Sequence, residues 1–373
     1  MCKITVNTRA DIRVPRETNI SYTNITYTNN SQTNNSHNET LLVPIASLFI
    51  VPRTLASCTL GRELRKRTRR QTAWWQRSVV CLAIASLAGC SKVPYLNEPV
   101  PASEAGKTET WPYSLQAPAH SNAQNDPDLM VLLAFSGGGA RASAMAYGVM
   151  LELSETAIEI AGEKRRLIDE IDVISSVSGG SFVSAYYGLY GDRLFESFVE
   201  DVLYNNLEAS TLKWLSRPKH WTLNSRRFGR SDQIAEYLDH NLFDHATLGD
   251  MERQGGPSIV INATDIGTGA RVPFTRPFFR LLCSDFDRYP VSRAVVASSA
   301  VPGLASPITI ENHANLCVNE VPQWARLDRL EPITTNRSLA VRNIEQYQDV
   351  SRRPWLHLVD GGVSDNLGLR PIY

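Results

Sequence analysis

Leu129–Phe135 is an uninterrupted apolar run, Leu-Met-Val-Leu-Leu-Ala-Phe. A continuous run, unlike an alternating one, suits a strand covered on both faces. It passes straight into Ser136-Gly137-Gly138-Gly139-Ala140-Arg141, and Ala142–Leu153 beyond is rich in the helix formers Ala, Met and Leu. Strand, triple glycine and helix in that order present backbone N–H groups at the positive end of a helix. Such donors hold a phosphate or a developing oxyanion. A plain glycine turn is the alternative use. No Gly-Lys-Ser/Thr follows, so this is not a P-loop. The glycines also lack the spacing of a dinucleotide fingerprint.

The same device recurs. Ile171–Ser175 reads as a strand, Phe182–Tyr190 as a helix, and Ser176-Val177-Ser178-Gly179-Gly180-Ser181 lies between them. A serine on a sharp strand-to-helix turn is the nucleophile elbow, usually Gly-x-Ser-x-Gly. Here serine stands first, at Ser176. Ser175, Ser176 and Ser181 are neighbours, but only Ser178 has the right spacing to Gly180. A serine nucleophile needs a base. Of the seven histidines none follows the most plausible acid, Asp360. His357 sits inside the strand-like run Trp355–Val359 and reads as a sheet histidine. That run ends in Asp360-Gly361-Gly362, so Asp360 caps a predicted strand and could take the serine proton directly. Asp-Gly-Gly alone also fits an ordinary turn.

Taken together and in order, Gly137-Gly138-Gly139-Ala140-Arg141, the elbow at Ser178 and Asp360-Gly361-Gly362 resemble the patatin-like phospholipase family. Ala297-Ser298-Ser299-Ala300-Val301-Pro302-Gly303 with Pro307 supports the match. So do Asn262-Ala263-Thr264-Asp265 and Cys283-Ser284-Asp285, which are most similar to bacterial exported members. The resemblance implies a three-layer α/β/α fold with a mostly parallel central sheet over residues 128–373. It further implies a Ser178–Asp360 dyad, an oxyanion hole from Gly137, Gly138 and Gly139, and a supporting role for Arg141 in that loop. The reaction implied is hydrolysis of phospholipids or other acyl-ester lipids, without metal or other cofactor. Ser136 departs from the aspartate of plant members, and Ser176 from the elbow glycine. The chain ends 13 residues after Asp360, where the family usually adds at least one more helix, so a shortened C-terminus is expected.

The charge is divided. Residues 1–80 carry 12 basic and 4 acidic side chains, and from Cys90 onward there are 26 basic and 34 acidic. A net charge of zero argues against bulk neutralisation of nucleic-acid phosphates. Residues 1–60, with their Asn/Thr/Ser-rich tract, are expected to be disordered. No Met lies between Met1 and Met130, so this stretch is also expected to be an upstream extension, with translation starting near Leu60 or Leu64. Residues 61–89 combine a basic run, a short apolar run and small residues, the pattern of a signal peptide. Leu87-Ala88-Gly89-Cys90 resembles the bacterial lipobox, which implies lipidation of Cys90 and a membrane anchor. Ser91 leans towards the outer membrane, facing the periplasm. Residues 90–127 hold six prolines and read as an extended tether.

Export permits Cys283 and Cys317 to pair, with two separate buried thiols as the alternative. Residues 203–228 interleave Trp214, Trp221 and Phe228 with Lys213, Arg217, Lys219, Arg226 and Arg227. That pattern suits a membrane interface or an ordinary surface insertion. The function expected is a lipid-anchored acyl-ester hydrolase. A general esterase or thioesterase and a catalytically idle envelope lipoprotein are the alternatives.

Overall fold

The computed structural model describes residues 2–8, 95–105, 125–126, 128–205, 213, 229–317 and 343–371. Seven strands form one mixed sheet. In chain order they are β1 (Cys2–Thr8), β2 (Leu129–Phe135), β5 (Ile171–Val177), β6 (Ser258–Asp265), β7 (Ala270–Phe274), β8 (Ile308–Glu311) and β9 (Trp355–Asp360). A separate hairpin, β3 (Ala157–Ile160) with β4 (Glu163–Arg166), follows the first helix. Helices α1 (Ala140–Glu155), α2 (Gly179–Tyr190), α3 (Arg230–Asn241) and α4 (Val291–Ser299) flank the sheet, which gives the three-layer α/β/α architecture.

The sheet order is β1-β2-β5-β6-β9-β8. The parallel part is its centre, β2-β5-β6, and the outer pairings are antiparallel. The apolar run of β2 is buried at every position except Met130. Helix α2 is buried almost throughout, from Gly179 to Leu189. A helix apolar all round needs cover on every side. Tyr186 on α2 fills one such side, its ring meeting Phe198 at 5.3 Å and Tyr190 at 4.7 Å.

Register on β6 sets the site. β7 pairs with Ile261–Asp265, a span that overlaps both the β5 contact (Ser258–Asn262) and the β9 contact (Ala263–Asp265). β7 therefore lies along one edge of β6, and β5 and β9 share the other. β5 runs along that edge until Val177 stands opposite Asn262, and β9 arrives from the other direction with Asp360 opposite Ala263. The two strands end one register position apart. Gly361 fits the junction because a Cβ there would collide with the Asn262 carbonyl and press on Val177.

Two segments depart from the sequence expectations. Cys2–Thr8 belongs to the stretch expected to be disordered, yet it pairs antiparallel with all of β2. Its β-branched residues Ile4, Thr5 and Val6 suit a strand on that otherwise open edge. The rest of residues 1–60, the expected signal segment 61–89 and Cys90 lie outside the described residues. Tyr95–Val100, expected to belong to an extended tether, is strapped onto the domain. Asn97 Oδ1 accepts the Glu311 N–H at 2.7 Å while its Nδ2 donates to the Glu311 carbonyl at 2.9 Å, so one side chain completes the free edge of β8. Nδ2 also contacts Ser284 Oγ. Backbone bonds join Val100 to Cys283 and Glu98 to Asp285. The Tyr95 ring packs edge-on against Tyr289 and carries the Arg293 guanidinium 4.7 Å from its centroid. Arg293 is itself buried and pairs with Asp232 on α3 at 2.8 Å. Burial pushes the Tyr95 hydroxyl well above the usual tyrosine range. Cys283 and Cys317 are joined by a disulfide with a Cα–Cα distance of 5.6 Å, directly beside the strap. Most of the aromatic and basic stretch 203–228 lies outside the described residues.

Candidate active site

β5 ends at Val177, and Ser178 takes φ 51° and ψ −122° before α2 begins. A positive φ is uncommon for a residue with a Cβ and costs about 1–3 kcal/mol, so its surroundings must hold it. They do so through backbone and side chain. The Ser178 N–H donates to Ser298 Oγ at 2.8 Å, and its carbonyl accepts the Ser181 N–H at 2.9 Å. Gly180 lets the new helix lie close to β2, because a Cβ there would stand 2.7 Å from Phe135 Cβ.

Ser178 Oγ donates to Asp360 Oδ2 at 2.8 Å. The other carboxylate oxygen, Oδ1, accepts the Gly362 N–H at 2.7 Å. Ser178 is 7% exposed and Asp360 8%. A hydrogen bond so shielded from water is electrostatically stronger than one at the surface. The neighbouring serines are committed elsewhere. Ser175 Oγ donates to the Gly368 carbonyl at 2.6 Å, and Ser181 Oγ lies 2.9 Å from Ser298 Oγ. Ser176, the unusual residue in the first place of the elbow, accepts from Ser184 Oγ on α2 at 2.6 Å. A partner from α2 thus accommodates the hydroxyl that replaces the usual glycine hydrogen.

Ser298 is the residue whose importance sequence reasoning did not isolate. Its hydroxyl donates to the Asn262 carbonyl at 2.6 Å, which commits its one hydrogen. The Ser178 N–H and the Ser181 hydroxyl then take its two acceptor positions. Through its backbone, the Ser298 carbonyl accepts the Gly361 N–H at 3.1 Å, and the Ala300 carbonyl accepts the Asp360 N–H at 2.9 Å. The end of α4 therefore holds both members of the pair. The Ala-Ser-Ser-Ala run was visible in the sequence, but nothing in it marks which hydroxyl points inward.

The glycine loop lies against the elbow. Ser143 on α1 donates to the Gly179 carbonyl at 2.6 Å and stitches the two turns together. Gly137 corrects an expectation: its N–H already donates to the Asn366 carbonyl at 2.9 Å. The N–H groups of Gly138 and Gly139 have no hydrogen-bond partner among the described residues, so they are the donors left to face a ligand. The reason is geometric, since Asn366 also fills the space beside Gly137 where a side chain would stand. Arg141 is exposed on the first turn of α1. It lines a cavity of about 280 Å³ together with Phe135, Gly137, Gly138, Met145 and Ala146. A second cavity, of about 250 Å³, adjoins Ile171 and Asp172 at the opposite end of β5. Burial lifts the Asp172 carboxyl above the usual range there.

Among the described residues no histidine is bonded to the Ser178–Asp360 pair. His357 is exposed and bonds to Thr309 Oγ1 at 3.0 Å across the β8–β9 ladder.

Residues 133–373 match the family model described as patatin-like phospholipase. No curated protein is significantly similar to the chain. The match covers well over half of the chain and takes in the glycine loop, the Ser178 elbow and Asp360. The chain belongs to the patatin-like phospholipase family, whose general chemistry is the hydrolysis of lipid acyl esters.

Proposed function

We propose that the chain is a serine acyl hydrolase in which Ser178 is the nucleophile and Asp360 the general base, acting on phospholipids or related acyl-ester lipids. The observation that carries this is the 2.8 Å bond from Ser178 Oγ to Asp360 Oδ2 at a strained strand-to-helix turn. Asp360 Oδ2 takes the hydroxyl proton as Oγ attacks the ester carbonyl carbon. The charge on the carbonyl oxygen is met by the N–H groups of Gly138 and Gly139 at the start of α1, where the helix end is positive. The protonated Asp360 gives its proton to the departing alkoxide, which leaves an acyl-Ser178 ester. Water then attacks that ester, Asp360 takes its proton, and the proton returns to Ser178 Oγ as the fatty acid leaves. The Asp360 Oδ1 bond to Gly362 keeps Oδ2 aimed at the serine throughout.

Lipidation at Cys90 and placement on the periplasmic face of the outer membrane complete the proposal, on the strength of the Leu87–Cys90 pattern. Among the described residues no helix is long and apolar enough to cross a membrane.

A serine-reactive fluorophosphonate probe, followed by peptide mapping, tests the nucleophile. The adduct is expected on Ser178. Well-folded protein that stays unlabelled would instead favour an idle envelope lipoprotein. Comparing phospholipid with short water-soluble esters separates a lipase from a general esterase.

Ser298→Ala tests the positioning network. It leaves a buried N–H on Ser178 without an acceptor, at a cost of about 1–3 kcal/mol, and frees the elbow from its strained conformation. The expected result is kcat lowered about tenfold with little change in KM and a slower probe reaction. Unchanged kcat in a folded variant would show that Ser298 supports only the fold.

A further inference from the structure

We infer that the rim around Ser178 and Asp360 is a docking surface for an anionic lipid bilayer. The inference rests on the acyl-hydrolase reading and adds how the protein meets its substrate. Nine large apolar side chains are exposed among the described residues, and five of them border this one site. They are Met145 at 58% exposure, Val301 at 42%, Leu304 at 74%, Val363 at 59% and Leu367 at 42%. Scattered exposed apolar residues are ordinary, but a concentration around one site marks an interaction surface.

Local bonds tie each of the five to the site. Met145 lines the cavity beside Gly137, Gly138 and Arg141. Val301 follows Ala300, whose carbonyl holds the Asp360 N–H. The Leu304 N–H donates to the Val301 carbonyl at 3.1 Å, so a tight turn keeps these two side chains together. Val363 follows Gly362, whose N–H holds Asp360 Oδ1. Leu367 follows Asn366, whose carbonyl holds the Gly137 N–H. Three segments distant in sequence thus bring apolar side chains to the entrance of one buried pair.

Charge selects the occupant. The same segments and their neighbours expose Arg141, Arg230 and Arg370. Arg230 reaches the Leu304 carbonyl with Nη1 at 3.4 Å. The one carboxylate side chain in Gly362–Arg370 is Asp365, and it is partly engaged by the Arg370 N–H at 2.8 Å. Among the described residues of these segments three exposed arginines stand against one carboxylate side chain, Asp365, besides the buried Asp360, although acidic residues outnumber basic ones from Cys90 onward. Basic side chains with interleaved apolar ones match a surface of anionic headgroups over acyl chains. Each arginine near such a surface strengthens the attraction, and added salt weakens it.

The test uses the full chain carrying Ser178→Ala, to prevent hydrolysis, and Cys90→Ser, to prevent acylation. Its partition is measured by flotation with vesicles of phosphatidylcholine alone and of phosphatidylcholine and phosphatidylglycerol in equal parts. Stronger binding to the mixed vesicles, weakened by salt, is expected. Adding Leu304→Ser with Val363→Ser should lower the partition about tenfold, and Leu304→Trp should raise it severalfold. If the double serine variant melts early, Leu304→Trp decides. Equal partition to the two vesicle types, or partition indifferent to the Leu304 and Val363 changes, overturns the proposal. So does a concentration-dependent dimer abolished by the same changes, because the rim would then face a second copy. Failure of the underlying reading looks different: the chain with Ser178 intact would hydrolyse no acyl ester, whatever its vesicle binding.

Discussion

Ser178→Ala is expected to leave a folded chain whose acyl-ester hydrolysis is lowered by about 10⁴-fold or more, because removal of a nucleophile removes the covalent route entirely. The fold should survive. The alanine Cβ occupies the same position, the Ser178 N–H still reaches Ser298 Oγ, and the backbone bond to Ser181 is untouched. The only bond lost is the one to Asp360 Oδ2. Asp360 keeps its Oδ1 bond to Gly362, so the loss in stability should be modest, about 1–2 kcal/mol. The measurements are turnover on phospholipid, thermal melting and fluorophosphonate labelling. Normal melting with no turnover and no label is the expected set. Residual activity close to wild type would move the nucleophile elsewhere.

Asp360→Asn should lower kcat about 10²–10⁴-fold, the range attributed to general-base assistance. The amide has the same shape as the carboxylate, so its oxygen can still accept the Gly362 N–H. Its nitrogen then faces Ser178 Oγ as a donor. The serine oxygen becomes an acceptor, its hydrogen turns away, and no group remains to receive the proton. KM should change little, since Asp360 is 8% exposed and its role is to move a proton rather than to bind substrate. Activity near that of the parent would show that the proton goes to another group and would refute the dyad.

Much of this site was legible before any coordinates. β2 has the bounds expected from its apolar run, Leu129–Phe135. α1 extends two residues beyond the expected Ala142–Leu153 at each end. α2 begins at Gly179 rather than Phe182, because the glycines that look like a turn serve as its tightly packed first turn. Other parts were illegible for identifiable reasons. β1 lies in a stretch expected to be disordered, and its pairing with β2 links segments more than 120 residues apart in sequence. β4 is Glu-Lys-Arg-Arg, with no apolar alternation to betray a strand. The Asn97 strap depends on the free edge of β8, more than 200 residues away in sequence. Gly137 looks equivalent to its neighbours in a row of three, and only the approach of Asn366 removes its N–H from the donor set.

The amino-acid sequence determined which chemical groups are present and which local turns carry them: a glycine loop before a helix, a serine on an elbow and an aspartate at a strand end. Each of these rests on interactions between near neighbours, so each can be read from a short segment. Which acid meets which serine, and which N–H groups remain free, only the tertiary structure decided. Ser178 and Asp360 are 182 residues apart, and their meeting follows from β5 and β9 sharing one edge of β6 and ending one register position from each other. A single-residue slip of either strand would turn its side chains to the opposite face of the sheet. Register of that kind is set by burial and pairing across the whole sheet, which no local segment contains.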